Sequence, residues 1–133
     1  MKTRIKDVAV GYEIPSVTKV AAMPEWTGET SRIHGASYAK SVGMRGALLG
    51  GSQLFAYMTQ LLYGFFGEDW MRHGKVSVAF IGGGVVPGDK VTARGVVTGK
   101  EPDDSGVRLH LDIWMENQDG NRVVAGTASC RVS

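Results

Sequence analysis

One run of residues limits the possible folds more than any other. Within 52–66, Leu54, Met58, Leu61, Leu62 and Phe65 recur at the spacing of one helix face. Phe55, Tyr57 and Phe66 cover much of the remaining circumference. A helix that is apolar nearly all round is buried. No other segment carries a helical pattern of this strength, and Gly50-Gly51-Ser52 opens it. The rest of the chain therefore has to enclose one greasy helix.

The flanking segments suit that task. Residues 8–23 read as two short extended pieces broken at Pro15, and 24–35 as an irregular stretch punctuated by Pro, Gly, Thr and Ser. Residues 36–42 fit a helical turn or two, with Ser37 as N-cap and Gly43 as C-cap. Residues 68–73 read as a short polar turn ending at Gly74. After Gly74 the period changes to two. Residues 75–81 are β-like, Gly82-Gly83-Gly84 interrupts them, and Pro87-Gly88-Asp89 makes a turn. Residues 90–100 form a strand and 102–106 a loop. Residues 107–115 alternate cleanly, so one face is buried and the other wet. Gln118-Asp119-Gly120-Asn121 reads as a hairpin turn before a last strand over 121–132. The order is short β, loop, one long buried helix, then three antiparallel strands. This predicts an α+β fold in which a curved antiparallel sheet wraps the helix. The sheet's other face is then free to pack on a second copy, which predicts a homodimer.

Size and charge narrow the function classes. The 133 residues form one domain by length, 1–133, with 43% apolar residues to build its core. A net charge of +2 with scattered basic residues argues against nucleic acid as a partner. The single cysteine, Cys130, excludes an internal disulfide framework and fits a reducing compartment. It reads as a small strand residue rather than a nucleophile. No zinc spacing is present, and no metal or redox cofactor is implied. The first residues lack the apolar run of a signal peptide, and no segment is long and apolar enough to span a membrane. The expected location is the cytoplasm.

The chemistry concentrates in Thr27-Gly28-Glu29-Thr30-Ser31-Arg32-Ile33-His34, which sets a carboxylate and an imidazole five residues apart in an irregular segment. Together with free amides at a helix start, these are the parts needed to move a proton beside a polarised carbonyl. The plainer alternative is a loop carboxylate and a satisfied histidine. Gly50 and Gly51 serve either as an oxyanion site, through the Gly51 N–H, or as a tight turn into the helix. Gly82, Gly83 and Gly84 form either a bulge or turn, or a pocket wall without side chains that leaves room for a bulky group. Trp26 is a packing residue or the floor of a pocket. His110 and His73 read as surface residues. Trp114, on the face shared with Arg108, His110 and Asp112, needs cover from a partner copy or from the N-terminal segment. Arg45, Arg72 and Lys75 are single cations that either meet a phosphate or are merely solvated.

These residues, in this order, resemble the MaoC-like dehydratases, the R-specific enoyl-CoA hydratases with a hotdog fold. Their signature runs roughly G-D-x-N-P-(I/L)-H, and Gly28-Glu29-Thr30-Ser31-Arg32-Ile33-His34 occupies its place. Tyr38-Ala39-Lys40-Ser41-Val42-Gly43 resembles the turn that follows, and Leu49-Gly50-Gly51 stands where the family has an H-G pair. Val86-Pro87-Gly88-Asp89-Lys90-Val91-Thr92-Ala93 is similar to the family's V-x-x-G-D stretch. The resemblance covers about 25–132. The chain departs from the pattern at Glu29, Ser31, Arg32 and Gly50.

The resemblance implies a hotdog homodimer and a hydro-lyase acting on acyl thioesters. Glu29 and His34 would hold the water, the Gly51 amide would face the thioester carbonyl, and Trp26, Ser31, Gly50 and Gly82–84 would line the substrate site. The implied partner is an acyl-CoA or acyl-carrier-protein thioester. A thioesterase on the same fold, and a divergent enzyme or binding protein with an enlarged pocket, are the other readings the residues leave open.

Overall fold

The computed structural model describes residues 4–22 and 49–133. A short 3-10 turn at Ile5–Asp7 is followed by β1 (Val17–Val20), the long helix α1 (Gly51–Phe66) and the short helix α2 (Glu68–His73). Four strands come next: β2 (Lys75–Phe80), β3 (Lys90–Asp103), β4 (Gly106–Glu116) and β5 (Arg122–Val132). They join β1 in one antiparallel five-stranded sheet of order β1-β3-β4-β5-β2. The expected α+β architecture holds. Four strands follow the long helix rather than three, because 75–80 pairs along its whole length with β5, from Lys75 opposite Ser129 to Phe80 opposite Val124.

The alternation in β4 explains the layering. Leu109, Leu111, Ile113 and Met115 are buried on one face, while Arg108, His110, Asp112 and Trp114 occupy the other. Cross-strand register extends the buried face to Val91, Ala93 and Val97 of β3 and to Val124, Ala128, Cys130 and Val132 of β5. The α1 residues Leu54, Met58, Leu61, Leu62 and Phe66 lie against this surface in one hydrophobic core. A bulge where Thr98 has no partner bends β3, and such bends let a sheet curve around what it covers.

Two further sequence expectations need correction. α1 is not buried all round: Phe55 and Tyr63 are 38% and 46% exposed. The sheet covers one face of the helix only, and Phe66 rather than Phe65 completes the buried stripe. The 102–106 stretch is not a loop either. β3 runs through Pro102 to Asp103, leaving a two-residue turn at Asp104 and Ser105. β1 pairs with β3 only over Lys90–Ala93, and residues 11–14 pair with it only over Gly95–Val97. Among the described residues that edge of β3 carries no strand at Pro102, so a residue without an N–H costs nothing there.

The connections bring both ends of the 23–48 segment to the start of α1. The Gln53 side-chain amide donates to the Ala22 carbonyl at 2.6 Å, and the Leu49 N–H donates to the Val85 carbonyl at 2.8 Å. Among the described residues, no helix is long and apolar enough to cross a membrane.

Candidate active site

Two glycines open α1. Gly50 is the N-cap, with extended backbone at φ −67° and ψ 148°, and it offers no side chain to the helix amides. The first N–H groups to find an intrahelical acceptor are those of Gln53 and Leu54, both bonded to the Gly50 carbonyl at 3.0 and 3.3 Å. The Gly51 and Ser52 N–H groups are therefore the orphan donors every helix start possesses. Among the described residues neither has a backbone acceptor. Sixteen residues of aligned peptide dipoles lie behind them, which favours negative charge at this end.

Gly51 lies against an aromatic ring. A Cβ there would stand 3.0 Å from Cε2 and 3.1 Å from Cζ of Phe80, at the end of β2. A side chain at position 51 would require the ring to shift by a few tenths of an ångström. Phe80 went unnoticed in the sequence because nothing local pairs it with Gly51. The available signal was its place in β2, where period two puts it on the face of Val76 and Val78.

The Gly82–Gly84 turn is fastened to the same helix start on both flanks. Phe80 precedes it and packs on Gly51. Val85 follows it and accepts from Leu49. Gly82 and Gly84 have φ of +70° and +77°, conformations that side-chain-bearing residues adopt only with strain. The three glycines line a cavity of about 580 Å³ with Asn117, Asp119, Asn121, Arg122 and Val123 from the β4–β5 hairpin. Asp89 anchors the next turn. It is buried, its Oδ2 accepts from the Val86 N–H at 3.0 Å, and its Oδ1 accepts from the Gln118 amide at 3.1 Å. The Gln118 Oε1 accepts from the Lys90 N–H, which ties the hairpin to the loop.

The structure thus brings together Gly50, Gly51 and the flanks of the Gly82–Gly84 turn. Trp26, Glu29, Ser31 and His34 lie outside the described residues, as do Arg45 and the 36–42 turn. Arg72 and Lys75 sit at the far end of β2 from the helix start. His110 lies on the outer sheet face with its Nε2 2.7 Å from Glu101, as expected of a surface residue. His73, at the end of α2, has its Nε2 2.9 Å from an Arg131 guanidinium nitrogen. The Arg122 guanidinium covers Trp114 at 4.5 Å from the ring centre. The side chain of Cys130 is fully buried. Burial above all, with help from the Asp69 carboxylate, pushes its thiol up to about 11 against the opposing pull of Arg108 and Arg131. Such a group carries little thiolate at neutral pH. No group of three or more His, Cys, Asp or Glu among the described residues is placed to hold a metal ion.

No protein-family model matches the chain, and no curated protein matches it by sequence. Solved structures do. The MaoC-like dehydratase from Rhodospirillum rubrum is similar at a TM-score of 0.75 and 19% identity, over 98% of this chain and 97% of that one. The unliganded R-hydratase from Pseudomonas aeruginosa gives 0.73 and 19%, over 95% of this chain and 83% of the other. A thioesterase superfamily member from Thermus thermophilus is more distant, at 0.59 and 11%, over 95% and 84%. The chain has the hotdog fold, and the solved proteins similar to it include MaoC-like dehydratases and R-hydratases.

Proposed function

We propose that the chain is a hydro-lyase acting on acyl thioesters. It would add water across a trans-2-enoyl thioester or remove it from a 3-hydroxyacyl thioester, the acyl group being carried by CoA or a carrier protein. One observation carries the reading. An uncapped helix start with two orphan amides is also where both ends of the segment holding Glu29 and His34 are tied, through Ala22 to Gln53 and Leu49 to Val85.

In hydration, the thioester carbonyl oxygen accepts from the Gly51 N–H. Glu29 and His34 hold a water against the β-carbon. As the water oxygen bonds to that carbon, one of the pair takes its proton. The π electrons move onto the carbonyl oxygen, and the Gly51 amide and the helix dipole stabilise the enolate. The other member of the pair delivers a proton to the α-carbon, and the carbonyl re-forms. Dehydration is the reverse. The two groups need pKa values set apart by burial and by each other, so that one is the acid while the other is the base. Ser31, Trp26, Gly50 and Gly82–84 would line the acyl and carrier path. The working unit is proposed to be a homodimer of single-domain chains, 1–133, in the cytoplasm.

The test is loss of the conjugated absorbance of crotonyl-CoA. Wild type should turn it over, and His34→Ala and Glu29→Gln should each lose about 10²-fold or more. A wild-type rate no better than that of His34→Ala rejects the proposal. Release of free thiol without hydration would instead favour the thioesterase reading.

A further inference from the structure

We infer that Phe80 limits the acyl group to short chains. The inference rests on the reading that the thioester carbonyl docks at the Gly51 amide. Three observations support it. First, the ring stands against the helix start, so close to Gly51 that any side chain there would meet Cε2 at 3.0 Å. Second, Phe80 is 52% exposed although it points to the face of the sheet that carries the core. Val76 and Val78, earlier on the same face, are packed against the core. Phe80 therefore projects past the end of the core, beside the orphan amides. Third, Phe55 lies one turn along α1 from Gly51, on the same side of the helix, and is also partly exposed. Two aromatic side chains thus flank the donors, where an apolar chain attached to a docked carbonyl has to begin.

The backbone that carries the ring is held in place. The Ile81 N–H donates to the Val123 carbonyl at 2.9 Å, immediately after Phe80, and β2 is paired with β5 up to Phe80 itself. A phenylalanine so anchored has only two side-chain torsions, and rotation about the second leaves a flat disc in the same place. A short acyl group fits beside this disc, and a longer one runs into it. The residue is a specificity determinant and takes no part in proton transfer.

The experiment compares wild type with Phe80→Leu and Phe80→Ala across trans-2-enoyl-CoAs of increasing chain length. Binding of the matching saturated acyl-CoAs, which cannot be hydrated, is measured by calorimetry. Wild type should prefer the shortest chains. Phe80→Ala should raise the ratio of long-chain to crotonyl kcat/KM by about tenfold or more, the discrimination typical of a methylene or two in an apolar pocket. Phe80→Leu should fall between. The saturated ligands should show the same shift in Kd. An unchanged length profile in an active enzyme overturns the role of Phe80 and leaves the lyase reading standing. Absent turnover with a length-dependent Kd that shifts in Phe80→Ala has the opposite meaning: the lyase reading fails and the role of Phe80 stands. A Phe80→Leu protein of smaller solution mass than wild type, with an unchanged profile, would make the side chain an interface residue and overturn the inference. So would failure of wild type to bind any acyl-CoA.

Discussion

At the scale of single residues, two buried polar groups carry clear expectations. Asp89 is the acceptor for the Val86 N–H and for the Gln118 amide. Asp89→Ala takes the acceptor from the part-buried Val86 N–H and from the exposed Gln118 amide, and loss of a hydrogen bond to a charged group costs about 1.5–3 kcal/mol. A urea titration should show a loss of that size, and a midpoint unchanged from wild type would contradict it. Cys130 gives a pH dependence. Its thiol is pushed up to about 11, chiefly by burial, against an ordinary value of 9.0. Below the ordinary value both the folded and the unfolded chain hold the proton, so the contribution to stability is complete. Between the two values the unfolded chain gives up its proton and the folded chain does not, so stability falls as pH rises. Urea midpoints from neutral pH into this window should fall more steeply for wild type than for Cys130→Ala. Parallel slopes would contradict the assignment. Some of this was legible beforehand. A lone cysteine in a strand reads as a small residue that is not a nucleophile, and its burial came from the structure. The contact of Phe80 with Gly51 did not show, because it joins a helix start to a strand end and leaves no trace in the local pattern of either.

At the scale of elements, periodicity did most of the work. The alternation of 107–115 marked the buried face of β4, and the recurrence of Leu54, Met58, Leu61 and Leu62 marked the core stripe of α1. Where pattern misled, tertiary context had the final say. Pro102 reads as a loop residue, yet it sits in β3 where, among the described residues, that edge has no neighbouring strand to receive an N–H. Phe55 reads as part of a helix buried nearly all round, yet the sheet encloses only one side of the helix. Strand β2 is the most exposed test of the architecture, since among the described residues its one sheet neighbour is β5. Gly126 allows their close approach. A Cβ there would collide with the Ser77 carbonyl oxygen and stand 2.8 Å from the Val78 Cα. Gly126→Ala should push β2 away from β5, and hydrogen exchange should show faster amides in 75–80 than in β3 and β4. Uniform protection across all five strands would contradict the pairing.

At the scale of the whole molecule, an architecture legible from one greasy helix and a set of alternating strands meets a fold shared with R-hydratases and MaoC-like dehydratases. That likeness at 19% identity establishes the framework and leaves the chemistry to the residues. The glycine start of α1, anticipated from Gly50-Gly51-Ser52, is in place with its amides uncapped. Glu29 and His34 remain an inference from their spacing and from the resemblance, because they lie outside the described residues. What decides the matter is the product formed from crotonyl-CoA, read by mass spectrometry. The proposed chemistry predicts a thioester heavier by one water, with the carrier still attached, and its loss in Glu29→Gln and His34→Ala proteins that remain folded. Free CoA and crotonate in place of that adduct, or an adduct formed equally well by both variants, would contradict it.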